Sequence, residues 1–149
     1  GRGSGLNDEQ VDRKTRILQE IAAKYNPGTP EEVLATFGGL EIAAMTGAYL
    51  EAKRQNMLIL IDGFIATAAV LTAIQLDPAV KDNCVFCHGS DEKGHELMLQ
   101  YLGAKPLLQL GMRLGEGSGA AVAMPLVKSA VNFLNETSSM DDAGVSNKD

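Results

Sequence analysis

Apolar residues in this chain fall into spaced stripes and unbroken runs, with turn residues where one gives way to the other. Asn7-Asp8-Glu9 offers a helix N-cap and acidic first-turn residues, and Val11, Leu18 and Ile21 then lie along one helical face. Asn26-Pro27-Gly28 ends that helix. Thr29-Pro30-Glu31-Glu32 opens a second as N-cap, N1 proline and two acids, and it stops at Gly38-Gly39. Residues 40–54 read as a third helix, with Ile42, Ala43, Met45, Thr46, Tyr49 and Leu50 giving it an amphipathic, small-residue character.

Residues 57–61 are continuously apolar rather than alternating, the pattern of a central parallel strand covered on both faces. Asp62-Gly63 closes that run, and residues 64–76 resume as a helix, giving a strand–turn–helix unit. Asp77-Pro78 begins a turn or short helix. Residues 83–88 form a candidate second strand, and 91–102 a helix with Leu97, Met98 and Tyr101 inward. Gly103-Ala104-Lys105-Pro106 leads to Leu107-Leu108. The last helix is expected over 119–135, bent at Pro125 and apolar nearly all round in its first half, so buried there. Thr137-Ser138-Ser139 and the residues beyond read as a weakly ordered polar tail. No internal repeat is visible.

Composition narrows the class. The chain has 149 residues, enough for one domain with a real core. It is 45% hydrophobic but only 5% aromatic, without Trp, so that core must be built from Leu, Ile, Val, Ala and Met. A formal charge of −6 argues against general nucleic-acid binding, which needs clustered Lys and Arg. No apolar run reaches membrane-spanning length, and no basic and apolar leader pattern opens the sequence. Two cysteines do not make a disulfide scaffold, and the expected setting is cytoplasmic.

The candidate chemistry gathers in Leu110-Gly111-Met112-Arg113-Leu114-Gly115-Glu116-Gly117-Ser118-Gly119. Glu116 sits between two glycines at the mouth of an apolar helix. Gly115 and Gly117 admit backbone angles closed to other residues and allow a ligand close to the main chain. Free N–H groups near Ser118 and Gly119 can face an anion. Apolar surroundings would make a partly desolvated Glu116 a better proton acceptor. The plainer alternative is a glycine-rich turn carrying a solvated Glu.

Other positions carry similar pairs of readings. Asp62 and Gly63 lie at the carboxyl end of the predicted strand, where ligands bind in open α/β sheets, but Asp62 is also a natural N-cap for the next helix. Lys14 shares the stripe of Val11, Leu18 and Ile21; it either snorkels to water or meets a phosphate or carboxylate in a cleft. Gly38-Gly39 is either a helix stop or a glycine loop opening an anion site. Cys84-Val85-Phe86-Cys87-His88 spells the c-type haem attachment pattern, with His88 as axial ligand and Met98 or Met112 opposite. A zinc site would need two further ligands. The apolar strand pattern favours Cys84 and Cys87 as core or near-core thiols.

Set together, the motifs reach a family. In order stand Gly1-Arg2-Gly3-Ser4-Gly5-Leu6, Arg13-Lys14, Phe37-Gly38-Gly39-Leu40-Glu41-Ile42-Ala43-Ala44 and Ile61-Asp62-Gly63-Phe64-Ile65. His88-Gly89-Ser90-Asp91-Glu92-Lys93-Gly94-His95 and the stretch 110–125 follow. This succession closely resembles the nicotinate-nucleotide–dimethylbenzimidazole phosphoribosyltransferases, which make the lower-ligand nucleotide of cobalamin. The resemblance runs from Gly1 to about Gly144.

The resemblance implies an α/β fold, part of a parallel-sheet, Rossmann-like three-layer architecture rich in helix, in an enzyme that is usually a homodimer. Residues 1–136 would be the C-terminal portion of a phosphoribosyltransferase α/β domain, and 137–149 a polar tail. Gly1-Arg2-Gly3-Ser4-Gly5, which lacks an initiator Met, would be an internal loop rather than an expression scar. The implied reaction moves phosphoribose from nicotinate mononucleotide to dimethylbenzimidazole, releasing nicotinate and giving α-ribazole phosphate, with no metal or other cofactor. Glu116 matches the family's general base. Lys14, Asp62, Gly63 and Ser90 match positions around the phosphoribosyl group, where Gly115 and Gly117 flank the base, and Gly38 and Gly39 match a further glycine loop.

Two departures follow from the same comparison. Gly89 stands where the family usually has a basic residue. The family's N-terminal region, which helps line the benzimidazole pocket, has no counterpart in this sequence, so its remaining half is the expected partner and the chain alone should be inactive. Against the enzyme reading stand a non-catalytic α/β fragment or scaffold and a c-type electron carrier using Cys84, Cys87 and His88.

Overall fold

A computed structural model of the chain describes residues 5–140 and 142–144. Gly1, Arg2, Gly3 and Ser4 of the opening glycine motif lie outside the described residues, as do Asp141 and residues 145–149 of the polar tail. Helices α1 (Asp8–Lys24), α2 (Pro30–Phe37) and α3 (Leu40–Arg54) precede strand β1 (Ile59–Ile61) and helix α4 (Phe64–Leu76). A 3-10 turn over Pro78–Asn83 leads to β2 (Cys84–Phe86) and β3 (His88–Ser90). Helix α5 (Lys93–Leu102), strand β4 (Leu108–Met112) and helix α6 (Ser118–Glu136) complete an α/β fold with short parallel strands.

The helix starts follow from their capping chemistry. Asn7 accepts the Gln10 N–H at 2.9 Å while the Gln10 side chain takes the Asn7 N–H at 3.0 Å. Thr29 and Glu32 form the same reciprocal box ahead of Pro30. Each box satisfies two backbone donors that a helix start would otherwise leave free.

Strand β1 pairs in parallel with β2, Ile59 opposite Cys84 and Ile61 opposite Phe86. Strand β3 pairs in parallel with β4, His88 opposite Leu108 and Ser90 opposite Met112 across an irregular register. β2 and β3 are two pieces of one run of chain, broken at Cys87. Cys87 N–H donates to Ile61 C=O at 2.8 Å, and Leu107 and Leu108 N–H donate to Phe86 and Cys87 C=O at 2.9 and 3.1 Å. These bonds place residues 84–90 between β1 and β4, with α4 and α5 as the crossovers that parallel strands require.

The core lies on one side of this sheet. Ile61, Val70, Ala73 and Val80 are fully buried, and Phe86, Leu99 and Leu102 close over them. Burying each larger side chain favours the fold by about 1.5–3 kcal/mol. Thr46 joins α3 to α4 through a buried hydroxyl within 3.1 Å of Ala69 C=O, and Lys53 meets Asp77 at 3.5 Å near the far ends of both helices. α3 and α4 therefore run side by side in one direction. Val85, Leu58 and Leu107 face the opposite side, where α6 lies.

Several expectations change. Met57 and Leu58 are exposed and precede the strand, and within it Ile59 and Ile61 are buried on one face while Leu60 on the other is half-buried, so the expected coverage of both faces is incomplete among the described residues. The inward face of α5 is His95, Leu99 and Leu102, while Leu97 and Tyr101 are exposed. Strand β4 was not expected; Gly111 and the glycine-rich run after it masked it. Helix α6 passes continuously through Pro125 but buries only Gly119 and Ala123. Val122, Leu126, Val131, Phe133 and Leu134 are exposed, so its expected burial is absent among the described residues. No described helix is long and apolar enough to cross a membrane.

Candidate active site

A cleft of about 200 Å³ opens at the carboxyl ends of the strands. Asp62, Gly63, Ser90, Gly115 and Glu116 line it, joined by His88, Glu92 and Arg113. The sequence places these residues in three separate stretches, and parallel strands bring the stretches together because all of them leave the sheet at the same end.

Asp62 holds the cleft to α6. Its Oδ2 accepts Gly117 N–H at 3.2 Å and its Oδ1 accepts Ala120 N–H at 3.1 Å. A carboxylate here satisfies free amides at the helix start and meets the positive end of the helix dipole. Asp62 is thus a cap, but of α6 rather than of the helix that follows it; Gly63 caps α4 without a side-chain bond. The anion expected near Ser118 and Gly119 is supplied by the chain itself.

Gly115, Glu116 and Gly117 are three consecutive left-handed residues, with φ of 76°, 59° and 78°. Two are glycine, for which this region is open; Glu116 adopts it at a cost of about 1–3 kcal/mol that the surrounding turn must offset. The turn lifts Glu116 to the rim, where it is exposed. The desolvation expected for this carboxylate is not supplied by the described residues.

Ser90 is set by a histidine that sequence reasoning quoted only within a motif. The buried His95 ring accepts Ser90 N–H at Nδ1, 3.1 Å away, and Ser90 Oγ lies 2.8 Å from the same nitrogen. A backbone donor at Nδ1 leaves the ring proton on Nε2, which donates to Thr67 Oγ1 at 3.0 Å. Burial pushes the His95 pKa below the ordinary 6.5, and neighbouring His88 pushes the same way while Asp62 opposes. The neutral ring is a fixed connector between β3, α4 and the start of α5.

Arg113 and Glu92 were also missed as site residues. They face each other across the cleft mouth at 3.7 Å. Arg113 stands two positions before the glycine turn, a position that could have flagged it.

Three expected site residues lie elsewhere. Lys14 is exposed on α1, a helix that buries none of its residues, and it does not line the cleft. Gly38 ends α2 and Gly39 opens α3, both at negative φ. A Cβ on Gly38 would come within 2.5 Å of Leu34 C=O, so that glycine serves the close turn between helices.

The Cys84, Cys87 and His88 pattern does not form one face. Cys84 and Cys87 are an odd number of positions apart along the same run of strand, which directs them to opposite sides. Their thiols lie 3.2 and 3.5 Å from Val80 and Val85 C=O. Burial pushes both thiols up to about 11, with the charge of Asp62 adding to the effect at Cys87. They are structural thiols, as the apolar pattern suggested.

A protein-family model described as phosphoribosyltransferase matches residues 1–145. The chain belongs to this family. It is 56% identical over 147 residues to a nicotinate-nucleotide–dimethylbenzimidazole phosphoribosyltransferase of Ralstonia nicotianae, covering 98% of this chain and 42% of the relative. The enzyme of the same name from Shewanella putrefaciens is 52% identical over 147 residues, covering 97% of this chain and 42% of its own. The crystal structure of CobT from Thermus thermophilus superposes with a TM-score of 0.91 at 40% identity, over 99% of this chain and 44% of that one. The chain therefore spans about two fifths of the length of the relatives it matches.

Proposed function

We propose that this chain serves the transfer of phosphoribose from nicotinate mononucleotide to dimethylbenzimidazole in cobalamin lower-ligand synthesis, with Glu116 as general base. The observation that carries the reading is the shared cleft: the Glu116 turn, fastened by Asp62, faces Gly63 and Ser90. One ring nitrogen of the neutral benzimidazole attacks the sugar C1′ and forms the new C–N bond. The bond from C1′ to nicotinate breaks, and its electron pair returns to the cationic nicotinate nitrogen. Positive charge grows on the benzimidazole as this happens, and Glu116 takes the proton from its other nitrogen. Attack opposite the leaving group inverts C1′ and gives the α product. Ser90, with its hydroxyl oriented by His95, and Gly63 contact the phosphoribosyl group.

Charge and size bear on what completes the site. Asp62, Glu92 and Glu116 outweigh Arg113 among the described cleft residues, so a phosphate needs a further cation. We assign that role to Lys14, with Gly38 and Gly39 as a second glycine loop toward the ligand. A cleft of about 200 Å³ is also smaller than the roughly 300–1,000 Å³ of sites that enclose a ligand. The remaining walls would come from polypeptide corresponding to the rest of the relatives' length, packed on the exposed apolar face of α6, in a homodimeric cytoplasmic enzyme.

The test is a chimera in which residues 1–145 replace the matching segment of the Ralstonia relative. Chromatography should show nicotinate and α-ribazole phosphate formed together, while the chain alone forms neither. A folded chimera without turnover would overturn the reading.

A further inference from the structure

His88 is 2% exposed, yet neither ring nitrogen has a hydrogen-bond partner; among the described residues the only other such buried side-chain atom is Ser118 Oγ. Orphaned buried polar atoms are rare and call for a physical reason. The ring is held by two close backbone approaches. A Cβ on Gly63 would stand 3.3 Å from Nε2, and a Cβ on Gly119 would run into Cδ2 and Nε2. The lack of a side chain at both positions makes room for the imidazole. His88 is pinned between the start of α4 and the first turn of α6.

Its Nε2 edge faces Asp62, with Oδ1 at 3.8 Å. That separation is too long for a hydrogen bond, but among the described residues Oδ1 receives only Ala120 N–H and keeps a lone pair toward the ring. His95 cannot serve Asp62 instead. Its centroid is 6.1 Å from that of His88, and both its nitrogens are engaged by Ser90 and Thr67.

We propose that His88 is a positioning residue: it carries its proton on Nε2, aimed at Asp62 Oδ1 3.8 Å away, and the attraction between that N–H dipole and the carboxylate steadies the group that fastens α6 and the Gly115–Glu116–Gly117 turn. The relay runs from His88 to Asp62, from Asp62 to Gly117 and Ala120 N–H, and from Gly117 to Glu116. That the relay matters for phosphoribosyl transfer rests on the proposed function; the relay itself does not, and its test uses no substrate.

Nitrogen-15 correlation spectra of the ring in the full chain read its tautomer directly. A proton on Nε2 is expected; a ring protonated on Nδ1 alone overturns the proposal. Amide exchange at Gly117 and Ala120 supplies the second reading. His88→Leu should speed both by up to about tenfold, the most that one such polar contact contributes. Gln places its amide near the Nε2 position and Asn near Nδ1, so His88→Gln should restore slow exchange and His88→Asn should not. Unchanged exchange in His88→Leu, or rescue by Asn rather than Gln, overturns the proposal. Should His88→Leu fail to fold, the wild-type tautomer decides alone.

Discussion

Asp62 Oδ1 accepts Ala120 N–H at 3.1 Å, joining the end of β1 to the first turn of α6 across 58 positions of sequence. The same carboxylate takes Gly117 N–H, so one side chain fastens both the helix and the turn that presents Glu116.

Asp62→Ala should therefore lower stability by about 0.5–2 kcal/mol, the range for losing a helix cap. Asp62→Asn keeps an acceptor oxygen and should cost less. Urea unfolding of the two variants measures the difference, and equal midpoints would detach Asp62 from the α6 cap.

Gly119→Ala tests the packing under that cap. Alanine is ordinarily favoured over glycine inside a helix by about 1 kcal/mol. Here the added methyl meets the His88 ring, and overpacking of about 1–3 kcal/mol should reverse the sign. A rise in melting temperature would show that the ring can move aside.

Stability should also depend on pH through His95. Its pKa is lowered in the fold, chiefly by burial, so the folded chain binds fewer protons here than the unfolded chain. The contribution is present in full above the ordinary 6.5 and is lost as pH falls through the folded value. The slope can approach about 1.4 kcal/mol per pH unit inside that window. His95→Gln should remove this part of the acid sensitivity, which denaturant titrations at a series of pH values will show.

The N-caps and the strand–turn–helix unit were legible in the sequence because they depend on neighbouring residues: Asn7 before Asp8-Glu9, Thr29 before Pro30-Glu31-Glu32, and the run ending at Asp62-Gly63. Contacts set by distant partners were not. The inward face of α5 was misplaced because its anchor is a histidine, and a polar residue at an inward position hides the helical period. Strand β4 was hidden by Gly111 at positive φ, since glycine usually ends a strand pattern. Gly115, Glu116 and Gly117 were recognised as a turn, but nothing local reveals that a carboxylate 55 residues earlier holds Gly117. The apolar run of α6 was visible, whereas the side that remains exposed is decided by what packs on it.

Lys14 separates two readings that the fold leaves distinct. It is exposed, so Lys14→Met should leave the melting temperature unchanged. If it meets phosphate in the assembled enzyme, nucleotide binding should weaken by about 1.5–3 kcal/mol, as for a charge-assisted hydrogen bond. Calorimetric titration with nicotinate mononucleotide measures this, and unchanged affinity would return Lys14 to a surface role.

The central claim is that Glu116 removes the proton, and steady-state turnover of Glu116→Gln in the chimera tests it most directly. Gln is nearly isosteric, fits the same turn and cannot take up the proton at neutral pH. Nucleotide affinity should be preserved while turnover falls by about 10²–10⁴-fold, the usual contribution of a general base. A fall smaller than about fivefold, far below that range, would contradict the assignment.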